Sequence, residues 1–254
     1  MTKLVRDLMH PGVLTCRKDA TLGQVAVLLT QNHVHALIVA DRDNRFLGII
    51  SDYDLMAGEW LSQDPESLTT MRSLTAADLM SHPIDTIEAG KTLVEAAHTM
   101  IAMDINRLMV VEKGAPCGVI SISDFISSIA QAEKARREAV ADVMSDSILV
   151  CRDKTPLISA ARTMTQAGWR SVLVVNSKGQ TQGVVSGKDL MPFVENGIDE
   201  KLTVRDVMHP VLTISIHASL REAADQMIQS KLTALNNGAC SRNGKMATSW
   251  LAVL

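Results

Sequence analysis

Four stretches of the chain carry one signature at nearly constant spacing, and no other feature limits the possible architecture as strongly. Val5-Arg6-Asp7-Leu8-Met9 returns as Ala76-Ala77-Asp78-Leu79-Met80, as Val140-Ala141-Asp142-Val143-Met144 and as Val204-Arg205-Asp206-Val207-Met208. Successive methionines lie 71, 64 and 64 residues apart. A second signature follows the first three of them after 38 or 39 residues: Gly48-Ile49-Ile50-Ser51, Gly118-Val119-Ile120-Ser121 and Gly183-Val184-Val185-Ser186. Two landmarks that keep one offset three times describe a repeat. The 254 residues therefore divide into four small copies rather than one or two ordinary domains.

Each copy has the same hydrophobic pattern. A short apolar stretch (Val13–Cys16, Ile84–Ile87, Ile148–Cys151) reads as a strand. A helix follows, opened by Thr21, Thr92 and Thr155, with Pro156 in its first turn, where a missing N–H does no harm. Leu93, Ala96, Ala97 and Met100 fall at i, i+3, i+4 and i+7, the stripe of a helix docked on one face. Unbroken apolar runs, Leu37-Ile38-Val39, Leu108-Met109-Val110-Val111 and Val172-Leu173-Val174-Val175, suit strands covered on both faces. A turn then leads to the glycine-led strand and a second helix. The fold class expected is α/β, with four β-α-β-β-α copies at 1–60, 72–133, 137–197 and 201–254. Ala132–Glu138, in the second connector, mixes charges at helical spacing and reads as a solvated helical extension.

Composition narrows the function classes. Aromatic residues are only 3%, so the core must be aliphatic and stacking platforms for single-stranded nucleic acid are scarce. Twenty-five Lys and Arg against 28 Asp and Glu leave a formal charge of −3, which offers no broad basic surface for nucleic acid or an anionic membrane. The first residues form no apolar signal segment, and no apolar run reaches the ~18 residues needed to span a bilayer. Cys16, Cys117, Cys151 and Cys240 lack zinc-type spacing, and the His33/His35 pair has no neighbouring ligand partner and reads as surface. A cytoplasmic protein without a metal is expected. His10, His82 and His209, beside prolines, read as exposed.

The chemistry concentrates in the motif Gly-h-h-Ser-x-x-Asp, where h is apolar. It stands at Gly48…Ser51…Asp54, Gly118…Ser121…Asp124 and Gly183…Ser186…Asp189. A buried strand ends at Ser and a helix begins, so unpaired backbone N–H groups face outward and favour an anion. Glycine permits close approach of a ligand or a neighbouring backbone. The Asp one turn on has the geometry to accept both hydroxyl hydrogens of a ribose diol. Ser-x-x-Asp is equally the signature of a capping box, in which the same groups only close a helix end, and the two roles can coexist.

The arrangement of Asp-x-Met, apolar middle strand and Gly-h-h-Ser-x-x-Asp resembles the cystathionine β-synthase (CBS) domain family over nearly the whole chain. The resemblance implies copies paired about a pseudo-twofold axis into two Bateman modules, copies 1 and 2 forming one and copies 3 and 4 the other. It also implies clefts that take adenosine-containing ligands (AMP, ADP, ATP or S-adenosylmethionine). Carried onto this sequence, it points to Thr15, Ser51 and Asp54 with Thr86, Arg107, Ser121 and Asp124, and to a weaker set of Arg170, Ser186, Lys188 and Asp189. His35 joins them from the column that holds Arg107 and Arg170 at the head of the middle strand; in this column Arg offers a planar cationic fork to phosphate. The expected function is a non-catalytic sensor that signals to a partner protein or a second copy. A ligand-free scaffold is the alternative.

Copy 4 breaks the pattern after Leu235. Asn236-Asn237-Gly238-Ala239 stands where an apolar strand is due, and Ala247–Val253 lacks the final Asp. Unpaired amides in a covered strand would cost about 1–3 kcal/mol each, so fraying or irregular packing is expected over 236–254.

Overall fold

The computed structural model describes residues 3–56, 65–130, 138–145, 147–194, 197–230, 234–240 and 247–252. Copy 1 begins with a short 3₁₀ turn, Val5–Asp7, and β1 (His10–Pro11), followed by β2 (Thr15–Arg17), α1 (Leu22–Gln31), β3 (Ala36–Ala40), β4 (Phe46–Ser51) and α2 (Asp52–Met56). After α3 (Pro65–Ser73), copy 2 supplies α4 (Ala76–Leu79), β5 (Thr86–Glu88), α5 (Leu93–Met103), β6 (Arg107–Glu112), β7 (Ala115–Ser121) and α6 (Ile122–Ala130). Copy 3 is α7 (Val140–Val143), β8 (Val150–Arg152), α8 (Leu157–Ala167), β9 (Ser171–Val175), β10 (Thr181–Ser186) and α9 (Gly187–Leu190). Copy 4 is α10 (Val204–Val207), β11 (Thr213–Ile214), α11 (Leu220–Gln229), β12 (Ala234–Cys240) and β13 (Ala247–Ala252).

Every copy builds the same small sheet. Its first strand runs parallel to the middle strand, and the glycine-led strand is antiparallel on the other side: β2-β3-β4, β5-β6-β7, β8-β9-β10 and β11-β12-β13. The parallel step requires a crossover, and the first helix of each copy supplies it. Three of these helices open on a reciprocal cap: Thr21 with Gln24, Thr92 with Glu95 and Ser219 with Glu222. In copy 3, Pro156 itself is the N-cap residue and the helix starts at Leu157, while the Thr155 hydroxyl accepts from Arg152 N–H. Thr155 therefore does not open α8 as expected. The middle strands are buried as their sequences require, with Leu37, Ile38, Val39, Leu108, Val110, Val172, Leu173 and Val174 almost wholly removed from water.

The chain forms two compact units. One comprises Leu14–Ile84 and Leu149–Val211; the other comprises Met1–Val13, Asp85–Ile148 and Leu212–Leu254. In the first unit the bodies of copies 1 and 3 share one apolar core, in which Leu37, Val39, Leu55 and Met56 pack with Leu157, Met164, Val172 and Leu190. In the second unit α11 of copy 4 packs on α6 of copy 2 through Ala223, Ala224, Met227, Ile126 and Ala130.

The leading Asp-x-Met segments do not stay with their own copies. Val5 N–H donates to Lys91 C=O in copy 2, and Ala76 N–H donates to Ala20 C=O in copy 1. Val140 and Val204 repeat this exchange on Ala218 and Thr155. Copies 1 and 2 thus complete each other, as do copies 3 and 4. The leading segments are exchanged between copies 1 and 2 and between copies 3 and 4, whereas the apolar cores join copy 1 with 3 and copy 2 with 4. The four residues that open these segments, Val5, Ala76, Val140 and Val204, are each 0% exposed.

The structure corrects the expectation for the end of copy 4. Backbone of 234–240 forms a strand between β11 and β13, with Thr213 opposite Asn236 and Asn236 opposite Trp250. Pairing on both edges satisfies the backbone N–H and C=O groups of this strand, overriding the weak strand propensity of Asn-Asn-Gly. Among the described residues, copy 4 still has no helix after its last strand. The helical extension expected over Ala132–Glu138 falls almost wholly outside the described residues; only Glu138 lies within them.

Candidate ligand site

All three Gly-h-h-Ser-x-x-Asp motifs adopt one local structure. Ser51, Ser121 and Ser186 each close a strand, and each donates its backbone N–H to the carboxylate three residues on: 2.7 Å to Asp54, 2.7 Å to Asp124 and 2.7 Å to Asp189. The serine hydroxyls donate to the same Oδ2 atoms at 2.7, 2.9 and 2.8 Å. The acid half of the capping box is thus realised in every copy that has the motif, and it occupies one oxygen of each acid; in copy 1 Asp54 N–H also donates to Ser51 Oγ at 3.4 Å.

The glycine has a structural cause as well. A Cβ on Gly183 would lie 2.9 Å from His209 C=O and 2.9 Å from Met208 Sδ; on Gly48 it would lie 2.8 Å from Ser81 C=O and 2.6 Å from Met80 Sδ. The close neighbour is the leading segment of the paired copy, which bonds antiparallel to this strand (Val184 N–H to His209 C=O, 3.0 Å, and the reverse at 3.1 Å). Asp-x-Met and Gly-h-h-Ser are therefore two halves of one junction. The Asp closes the leading turn, as Asp206 Oδ2 does for Thr203 N–H at 2.8 Å, and the Met lies over the glycine.

The exchange brings histidines onto two of the acids. His10 Nε2 stands 2.8 Å from Asp124 Oδ1, and His209 Nδ1 stands 3.3 Å from Asp189 Oδ2. A carboxylate only accepts, so each ring nitrogen carries the proton of its bond. Asp124 is the one buried charged residue among the described residues, with a side chain 7% exposed, and both of its oxygens are engaged: Oδ2 by Ser121 and Oδ1 by His10. At Asp189 burial pushes the carboxyl up, but hydrogen bonds from His209 and Ser186 outweigh it and hold the group below the usual range. The same bond raises His209, against a smaller opposing effect of burial. The depressed acid supports folding above its ordinary value near 4, and this support is lost as pH falls through its folded pKa. The raised imidazole supports folding below about 6.5, and that support is lost as pH rises through its own folded pKa. The pair therefore acts fully only between those limits. The expectation that His10 and His209 are merely exposed is thus incomplete. His10 is 80% exposed yet bonded, and His209 is only 35% exposed.

Of the other candidates, Arg107 heads β6 directly opposite Ser121 in the register of the two strands, beside the strand end where Ser121, Asp124 and His10 meet. Thr15 and Thr86 are exposed on first strands, opposite Ile38 and Met109. In the unit shared by copies 1 and 3, His35 Nδ1 lies 2.8 Å from Asp52 Oδ2, and Arg170 lies 3.8 Å from Asp52 Oδ1 and over the Tyr53 ring at 5.2 Å. The space lined by His35, Asp52, Lys188 and Met191 measures about 10 Å³, room for one water at most. Asp52 and Tyr53 carried no sequence signal. The residue after each leading Met, which is His in copies 1 and 4 and Ser in copies 2 and 3, carried one that the reading by copies passed over.

A larger open space lies elsewhere in copy 1. It is an open groove of about 600 Å³ beside β2 and α1, bordered by Arg17, Gln24, Val27, Asp41 and Asn44, and of the candidate residues it includes Thr15 alone. Burial pushes the Cys16 thiol at its floor up to about 11, as it does that of Cys151 in copy 3, which disfavours reactive thiolates. Among the described residues there is no cluster of metal-ligating side chains, and no helix is long and apolar enough to cross a membrane.

Comparison with known proteins places these features in a family. The model of the CBS domain matches residues 5–58, 76–131, 140–196 and 204–235, the last match stopping where copy 4 departs from the pattern. The chain is 32% identical over 131 residues to a CBS domain-containing protein of Dictyostelium discoideum, across 50% of this chain and 90% of that one. It is 22% identical over 204 residues to the uncharacterized protein MJ1225 of Methanocaldococcus jannaschii, across 74% of this chain and 69% of that one. The crystal structure of MJ1225, described as a candidate archaeal homologue of γ-AMPK, matches 99% of this chain and 97% of its own with a TM-score of 0.83 at 18% identity. A conserved protein of Pyrococcus horikoshii matches 99% and 96% with a TM-score of 0.66 at 20% identity.

Proposed function

The chain belongs to the CBS domain family, and from that footing we propose that it is a non-catalytic regulatory protein whose Gly-h-h-Ser-x-x-Asp junctions bind an adenosine-containing ligand. The observation that carries this reading is the strand end of copy 2, where Ser121, Asp124 and His10 bring a hydroxyl, a buried acid and an imidazole together, and Arg107 heads the neighbouring strand opposite Ser121. A cation addresses phosphate, while the acid addresses a sugar hydroxyl; a carboxylate does not address phosphate. The description of MJ1225 as related to γ-AMPK supports an adenine nucleotide, with S-adenosylmethionine as the other adenosine carrier. Thr15, Ser51 and Asp54 in copy 1, Thr86 in copy 2, and Ser186, Lys188 and Asp189 in copy 3 complete the proposed contacts. His35 and Arg170, held on Asp52, would reach a ligand only by leaving that acid.

Binding alone transmits nothing. The ligand must prefer one arrangement of the copies over another, and a partner protein or second copy in the cytoplasm would read that preference. The test is calorimetry and thermal shift with AMP, ADP, ATP and S-adenosylmethionine on the intact chain, repeated with Asp54→Ala and Asp124→Ala. We expect saturable binding of at least one ligand, weakened about tenfold or more by either substitution, with a modest loss of stability.

A ligand-free scaffold is favoured by the completed capping boxes. That reading predicts no binding and a stability loss only. Steady turnover of a nucleotide by the purified protein would contradict both.

A further inference from the structure

We infer that His10 and His209 are the resident neighbours of the ligand acids in copies 2 and 3, and that a ribose hydroxyl reaches Asp124 only by displacing the imidazole supplied by the paired copy. This rests on the nucleotide reading above and adds a specificity-determining residue to it. Asp124 has both oxygens engaged, Oδ2 by its own capping box and Oδ1 by His10. The box cannot be given up without opening the start of α6, whereas His10, 80% exposed at its side chain, can swing away. Of the two bonds, the one to His10 is the one that yields.

A related arrangement stands in copy 3, with all three bonds on one oxygen of the acid. There Asp189 Oδ2 holds Ser186 N–H, Ser186 Oγ and His209 Nδ1 together. Both histidines occupy the position directly after the leading methionine, and in both cases the exchange of segments brings them to the acid. Once displaced, the imidazole lies beside the ligand. A protonated ring there favours the phosphate but holds the acid more tightly against the sugar hydroxyl; a neutral ring releases the acid more readily. The exchange is thus sensitive to protons. The charged groups on the elements packed around His209 are Asp189 and Lys188 on α9 and Arg205 and Asp206 on α10; β10 carries none among its residues. Around His10 they are Asp124 on α6, Arg6 and Asp7 in its own segment, and Arg107 and Glu112 on β6, with Arg6 already 3.3 Å from Glu112; β7 contributes only the thiol of Cys117.

The experiment titrates AMP into the full chain at about pH 6 and about pH 8, for the natural sequence and for His10→Asn and His209→Asn, with His10→Gln and His209→Gln as second variants should a melt show either Asn variant unfolded. The imidazole proton resonances of His10 and His209 are followed in the same titrations. The inference predicts an affinity that changes with pH in the natural chain, tighter binding with a flattened pH response in the variants, and displacement of the histidine resonances by AMP. AMP binding whose affinity and pH response are the same in the variants, or that leaves the histidine resonances in place, overturns it while leaving the nucleotide reading standing. No AMP binding by any form at either pH overturns this inference, and absence of ADP, ATP and S-adenosylmethionine binding as well overturns both.

Discussion

Val204→Asp is expected to abolish cooperative folding of the unit that holds copies 1 and 3. Val204 is 0% exposed, sits in the shared apolar core and donates its N–H to Thr155 C=O at 3.0 Å. Nothing basic is among the core residues around it to neutralise a carboxylate. An uncompensated buried charge costs about 3–5 kcal/mol, a large part of the 5–15 kcal/mol typical of a whole domain. Val204→Ala, which removes two methyl groups, should cost only about 1.5 kcal/mol. Urea melts of the two variants separate the effects. An aspartate variant as stable as the natural chain would mean that the leading segment of copy 4 is not docked on copy 3.

The second large effect is expected from Gly183→Ala, a change that adds one methyl group and no charge. The new Cβ would stand 2.9 Å from His209 C=O and 2.9–3.0 Å from Met208 side-chain atoms. The sulfur can move, but the carbonyl is fixed by its bond to Val184 N–H. The two segments must separate, at about 1–3 kcal/mol. Met208→Ala on the same background should recover part of the loss, because it removes the movable half of the clash and leaves the backbone half. Full recovery would show that the carbonyl is not the obstacle; no coupling between the two sites would show that the residues do not touch.

Much of this fold is readable from the sequence because the repeat supplies four aligned copies of a noisy pattern. The buried middle strands follow from Leu37–Val39, Leu108–Val111 and Val172–Val175, which have no polar alternation. The first helices follow from the stripes and from the caps at Thr21 and Thr92, whereas Thr155 misplaces the start of α8 by one residue. What the sequence hides is long-range. Val5 and Val204 look like the heads of their own copies, since nothing local tells that their backbones bond to residues of the paired copy. The glycine reads as room for a ligand or a neighbouring backbone, and only the fold shows that the neighbour is the methionine and carbonyl of the paired copy's leading segment. The same exchange brings His10 to Asp124, a meeting across 114 residues that no periodicity reveals. Asn236 and Asn237 mislead in the opposite sense: their composition argues against a strand, but pairing on both edges decides the backbone.

At the site, the Ser-x-x-Asp geometry was legible because its partners are three residues apart. The environment of Arg170 was not legible, because Asp52 and Tyr53 belong to another copy. Residues linked by helical spacing declare themselves; residues linked by packing do not.

The central claim is that the serine-led helix starts, completed by the leading segments of paired copies, are where a nucleotide binds. Amide NMR of the intact chain during an AMP titration tests it most directly. The account predicts saturable shifts at Ser51–Asp54, Ser121–Asp124 and Ser186–Asp189, strongest in copy 2, with His10 and His209 moving alongside. An unchanged spectrum, or shifts confined to the Thr15, Gln24 and Asn44 groove of copy 1, would contradict it.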